Sequence, residues 1–125
     1  MKEREQIIIN YLDGYNKFDI GKMVKDFDEN IVFENISNGN TNMLLKGLTA
    51  FKEQGEQTKN YFSERMQTIL SYEHLNDQTV IEINYYAILA NDFPNGLKKG
   101  NELKANGKSI FKFSGNKIIK LTDIS

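Results

Sequence analysis

The stretch IVFENISNG, residues 31–39, sets Glu34 and Asn35 side by side in a run with strand character. The two-residue period of a strand turns only one of them toward a buried face. Glu34 inward would be a candidate general base. Asn35 inward would offer an amide, which hydrogen-bonds well but has no pKa near neutrality with which to take a proton. A second carboxylate, Glu82, lies in VIEINYYAIL. Alternation there puts Val80, Glu82, Asn84 and Tyr86 on one face and Ile81, Ile83, Tyr85 and Leu89 on the other, and either face can be the concave one. With the polar set inward, burial raises the Glu82 pKa and makes it a workable acid or base; with it outward, Glu82 is solvated or faces a dimer partner. Asp123, in phase with Ile119 and Leu121, reads either as a pocket acid or as a C-terminal cap and dimer contact. His74 is the sole histidine and borders a turn signal, so it reads as a surface residue; one histidine cannot build a histidine-rich metal site.

The elements that must position these groups follow from periodicity. Ile7, Ile8, Tyr11, Leu12 and Tyr15 recur at helical spacing and predict a first helix, with Gly14 a point where another segment can approach closely. Asp19 is an N-cap candidate for a short second helix that buries Ile20, Met23, Val24 and Phe27 and ends near Asp28-Glu29-Asn30. A strand over 31–36, a turn in SNGNTN and a returning strand over 43–46 come next, and then a third helix of about four turns from Leu48, carrying Phe51, Gly55, Thr58 and Phe62 inward. The remainder changes to β-branched and aromatic runs, giving strands near 66–75, 78–90, 102–114 and 117–124, with hairpin turns at Asn76-Asp77 and Gly115-Asn116. Gly107, in mid-strand, marks a bulge or bend. The loop over 91–101 carries the only proline and reads as a lid or a plain connector. Three helices and a mostly antiparallel sheet make an α+β domain spanning 1–125, the sheet curving around the helices.

Composition narrows the function classes. The chain of 125 residues has 39% hydrophobic and 26% charged residues and no cysteine, which excludes disulfides, thiolate nucleophiles and cysteine metal sites. The first residues lack the apolar run of a signal peptide and no segment has about 20 apolar residues, so a cytoplasmic protein that neither enters nor crosses a membrane is expected. Net charge is −1, but residues 98–125 are basic by +5 and the rest acidic by −6. Lys98, Lys99, Lys104, Lys108, Lys112, Lys117 and Lys120 read as solubilising strand lysines. No arginine stands among them for bidentate phosphate contacts, and nucleic acid is not an expected partner. There is no glycine-rich phosphate loop and no zinc or calcium ligand spacing, so no cofactor is expected.

YNKFDIGKMVKDFDENIVFE, KGLTAFKEQ and GKSIFKFSGNKIIKLTDIS, in this order and register, resemble the opening, the third-helix start and the final hairpin of the nuclear transport factor 2-like superfamily, in its SnoaL-like branch. The resemblance implies a cone-shaped barrel of mixed, mostly antiparallel sheet around a deep apolar pocket, and a homodimer packed through the outer sheet face. It implies no one reaction, since the superfamily holds isomerases, cyclases, hydrolases, dehydratases and binding modules. Ketosteroid isomerase pairs an aspartate base with an oxyanion hole of a tyrosine and a protonated aspartate. On this chain the tyrosine falls on Tyr11, the base on Asn35 and the protonated aspartate on Ser109.

The resemblance therefore turns Asn35 inward with Phe33, and Glu34 outward, and argues against ketosteroid-type isomerisation. Tyr11, Asn35 and Ser109 would form a neutral hydrogen-bonding floor. Tyr15, Phe33, Phe51, Phe62 and Phe111, with Phe113, Met23 and Met66, would supply aromatic and flexible walls. The expected function is binding of a small apolar molecule bearing a carbonyl or hydroxyl. The alternatives are a cofactor-free isomerase, cyclase or lyase using Glu82 or Asp123, or a protein-interaction module on the outer sheet face.

Overall fold

A computed structural model describes residues 2–125. Helix α1 (Lys2–Asn16) buries Ile8, Tyr11, Leu12 and Gly14. A Cβ on Gly14 would stand 2.7 Å from the Met23 backbone nitrogen, so the missing side chain is what lets α2 (Ile20–Met23) lie against α1. Asp19 caps α2, accepting from the Lys22 N–H at 3.0 Å. The helix stops at Met23, earlier than its apolar face suggested. Phe27 instead opens strand β1 (Phe27–Ser37), where it pairs with Ile118 and stays buried.

Strand β2 (Asn40–Lys46) returns beside β1, and α3 (Leu48–Thr58) with a 3-10 turn (Lys59–Tyr61) leads into β3 (Phe62–His74). Strands β4 (Gln78–Leu89), β5 (Glu102–Ser114) and β6 (Lys117–Ile124) complete a six-stranded sheet in the order β2-β1-β6-β5-β4-β3. Among the described residues only the β1–β6 pair is parallel. The sheet does not close: β2 and β3 remain edges, so the architecture is an open α+β cone. Asn76-Asp77 and Gly115-Asn116 form the two predicted hairpin turns, Gly115 at a φ of 60°.

The β4–β5 ladder runs without a register shift through Gly107. Gly107 is therefore no bulge; a Cβ there would lie 2.9 Å from the Ile124 carbonyl oxygen, and its absence lets the end of β6 approach. The irregularities fall elsewhere, with Asn42 unpaired in β2, residues 28–31 of β1 without a partner on β6, Ile119 unpaired in β6, and Ser63 and Leu70 in β3. The core is an aromatic chain across both layers. Tyr11 stacks on Phe27 at 5.5 Å and meets Phe111 edge-on at 5.7 Å; Phe51 meets Phe27 at 4.9 Å and Phe33 at 5.5 Å. Among the described residues no helix is long and apolar enough to cross a membrane.

Candidate functional site

Strand pairing assembles the site. Asn35 on β1, Asp123 on β6, Ser109 on β5 and Ile81 on β4 are successive cross-strand partners and form one row over the sheet. The concave face of the row looks across at α1 and α3, and between them lies a cavity of about 320 Å³. Tyr11, Tyr15, Phe33, Asn35, Phe51 and Asp123 all line it, with Arg65 from β3. A neighbouring cavity of about 300 Å³ shares Tyr15, Asn35 and Asp123.

Asn35 faces the cavity, and its Nδ2 donates to Asn42 Oδ1 at 2.8 Å. The bulge at Asn42 is what puts both amides within reach. Glu34 points the other way, to the Thr41 hydroxyl and the Lys120 ammonium. Ser109 is buried and lines the neighbouring cavity rather than the 320 Å³ one; its hydroxyl donates to Asp123 Oδ1 at 2.7 Å. Burial pushes the Asp123 carboxyl up to about 6, against the opposing pull of the Ser109 hydrogen bond. The Tyr11 hydroxyl makes no hydrogen bond to protein among the described residues. Burial and the nearby Asp123 raise its pKa well above the usual phenol value, against the Arg65 charge, so it stays protonated. The Tyr15 hydroxyl donates to the Tyr85 hydroxyl at 3.1 Å, and burial raises both phenols.

Other expected positions lie outside the cavity. The inward set on β4 is Ile81, Ile83, Tyr85 and Leu89; Glu82 is exposed on the outer face with Lys108 3.9 Å away. Phe111 and Phe113 are core residues, Phe111 packed beneath Tyr11. Phe62 sits against Tyr61, outside the lining, and Met66 is 50% exposed on the outer face. His74 is a half-buried strut: its ring nitrogens meet Glu5 at 2.7 Å and Thr79 at 2.9 Å, tying α1 to the β3–β4 hairpin. The 91–101 loop folds on itself, with Lys99 N–H donating to Asp92, and meets the segment at the cavity rim where Phe93 packs on Tyr61 at 5.7 Å and the Asn91 amide donates to the Asn60 carbonyl at 2.9 Å. Among the described residues no three His, Cys, Asp or Glu side chains gather as metal ligands.

Sequence reasoning missed Arg65 and Tyr85 as site residues. Tyr85 belonged to the apolar set of β4, and the hairpin register that pairs Tyr85 with Gln67 was the available signal.

No protein-family model matches the chain, and no curated protein matches it in sequence. Solved structures do match in shape. A candidate polyketide cyclase from Xanthomonas campestris pv. campestris superposes with a TM-score of 0.84 at 12% identity, over 99% of this chain and 90% of that one. A SnoaL-like candidate polyketide cyclase from Jannaschia sp. CCS1 gives 0.78 at 10% identity, over 98% and 84%. A nuclear transport factor 2-like protein of unknown function from Burkholderia pseudomallei K96243 gives 0.77 at 9% identity, over 98% and 90%. At these identities the likeness is one of fold.

Proposed function

We propose that this chain, which has the nuclear transport factor 2-like fold in its SnoaL-like form, binds a small apolar molecule bearing a carbonyl or hydroxyl in its cone, and that Asp123 moves a proton on that molecule without a cofactor. The observation that carries this reading is the Asp123 carboxyl set in the cavity wall and held through one oxygen by Ser109, where burial pushes it up to about 6. A carboxyl in that range can take a proton near neutrality and return it. The reaction class is proton abstraction beside a carbonyl, the chemistry of isomerases, cyclases and lyases. The Tyr11 hydroxyl and the Asn35 amide act as neutral donors to the carbonyl oxygen as charge develops on it. Met66, half exposed on the outer face of β3, supports self-association through that face.

The test uses 2-tetralone, an apolar ketone with acidic α-hydrogens, incubated with the protein in D2O and followed by NMR. The chain is expected to accelerate α-exchange over buffer, and Asp123→Asn to lose about 100-fold of that acceleration or more. Tyr11→Phe and Asn35→Ala are expected to weaken binding of the ketone, each by roughly three- to tenfold. Binding without exchange removes the proton-transfer half of the reading. Unchanged affinity in both variants removes the site assignment.

A further inference from the structure

The chain holds two arginines, Arg4 and Arg65. Arg4 is committed to backbone: its guanidinium donates to the carbonyls of Leu75, Asn76 and Gln78 and closes α1 onto the β3–β4 turn. Arg65 is 2% exposed and lines the cavity. Its Nε–H donates to the Tyr15 carbonyl at 2.7 Å, while Nη2 is buried with no hydrogen-bond partner. No carboxylate among the described residues pairs with it.

The guanidinium is nonetheless held in place. The rings of Tyr15 and Phe18 lie over its central carbon at 3.8 Å and 4.5 Å. Phe18 reaches that position from a φ of 59°, a left-handed conformation that a bulky side chain adopts only where the surroundings enforce it. Two rings and a carbonyl therefore fix the plane and leave Nη2 without a partner.

A cation withdrawn from water is costly unless it is paired. Asp123 does not act as its counter-charge, because that carboxyl takes its bond from Ser109 and is pushed up, whereas pairing with an arginine would pull it down. A planar fork of free N–H donors is the shape a carboxylate meets with two parallel bonds. The geometry points to a ligand carboxylate as the missing partner: the molecule taken into this cavity is an apolar acid, its carboxylate on the Arg65 Nη edge and its body against Tyr11, Phe33 and Phe51. This inference rests on the pocket reading above and names the chemical class of its ligand.

The test compares 2-naphthoate with 2-naphthamide, which share ring and shape and differ in charge. Each is titrated calorimetrically into the full chain at pH 7.5, with the arginine side-chain N–H signals followed by NMR. Naphthoate is expected to bind about tenfold more tightly than the amide or better, and to move the Arg65 signals while leaving those of Arg4 in place. Arg65→Met is expected to cost naphthoate about tenfold and to leave the amide within about threefold, with Arg65→Lys between. Equal affinities in the parent protein, or a preference for naphthoate with the Arg65 signals unmoved, overturn the inference and leave the pocket reading standing. Binding of neither probe overturns both. The comparison within the parent protein decides the matter even where Arg65→Met does not fold.

Discussion

The Ser109 hydroxyl donates to Asp123 Oδ1 at 2.7 Å, between residues that are direct partners on β5 and β6. The bond anchors one carboxyl oxygen from below the cavity and leaves Oδ2 without a protein partner among the described residues.

Burial raises this carboxyl from 3.8 to about 6, so the folded chain holds the proton more tightly than the unfolded one. Stability then falls as pH climbs from about 4 through about 6 and levels off above, the full change being on the order of 3 kcal/mol. Asp123→Asn keeps an acceptor for Ser109 and carries no charge. In urea melts it is expected to match the parent near pH 4 and exceed it at pH 7.5. A stability difference that is the same at both pH values would show that ionisation of Asp123 costs the fold nothing.

Glu82 provides the contrast. It is exposed, with Lys108 as its nearest charge. Glu82→Gln is expected to change stability by less than about 0.5 kcal/mol and to leave 2-tetralone exchange at the parent rate. Loss of exchange in this variant would move the chemistry to the outer face.

Gly107→Ala would place a methyl 2.9 Å from the Ile124 carbonyl, against backbone that has no rotamer with which to yield. The expected cost is about 1–3 kcal/mol, read as a lowered urea midpoint. Because Ile124 adjoins Asp123, 2-tetralone exchange should fall as well. A variant of parental stability would mean that the end of β6 is free to shift.

Leu70 is the unpaired residue of a bulge in β3, between the pairs Ile69–Ile83 and Ser71–Glu82. Deleting it joins those pairs into a regular ladder and leaves Arg65 opposite Ala87. A deletion in mid-strand ordinarily turns half the strand over. Here the chain is expected to fold with a melting temperature within about 5 °C of the parent, near 1 kcal/mol, and to keep the shift of the Arg65 signals on adding naphthoate. Loss of that shift in a folded variant would show that the bulge itself aims Arg65.

The same bulge explains what sequence reading missed. Counting back from the turn at Asn76-Asp77, an unbroken hairpin would set Leu70 opposite Ile83 and Met66 opposite Ala87, both inward. Hydrophobicity favours that phase too. The extra residue reverses it, so that Met66 and Leu70 are 50% and 54% exposed while Arg65 and Gln67 are buried. Local propensity does not report a one-residue bulge, because what stabilises it is distant: the Tyr15 carbonyl and the Tyr15 and Phe18 rings that receive the guanidinium, and the Asn16 amide that donates to the Gln67 carbonyl and accepts its N–H.

Short-range chemistry was legible. Asp19 as a cap, the two hairpin turns, the close approach at Gly14 and the order of elements each follow from a few neighbouring residues, and the sequence by itself determined them. It also held the two alternatives for each strand, since a period of two always yields two faces. Choosing between those faces was left to tertiary structure. The phase of β4 that sends Glu82 to solvent, the row that joins Asn35, Asp123 and Ser109, and the inward turn of Arg65 depend on which face meets the helices and where the register slips. Those are contacts between residues as much as 88 positions apart, Asn35 and Asp123 among them, and the burial that raises Asp123 arises only once they are made.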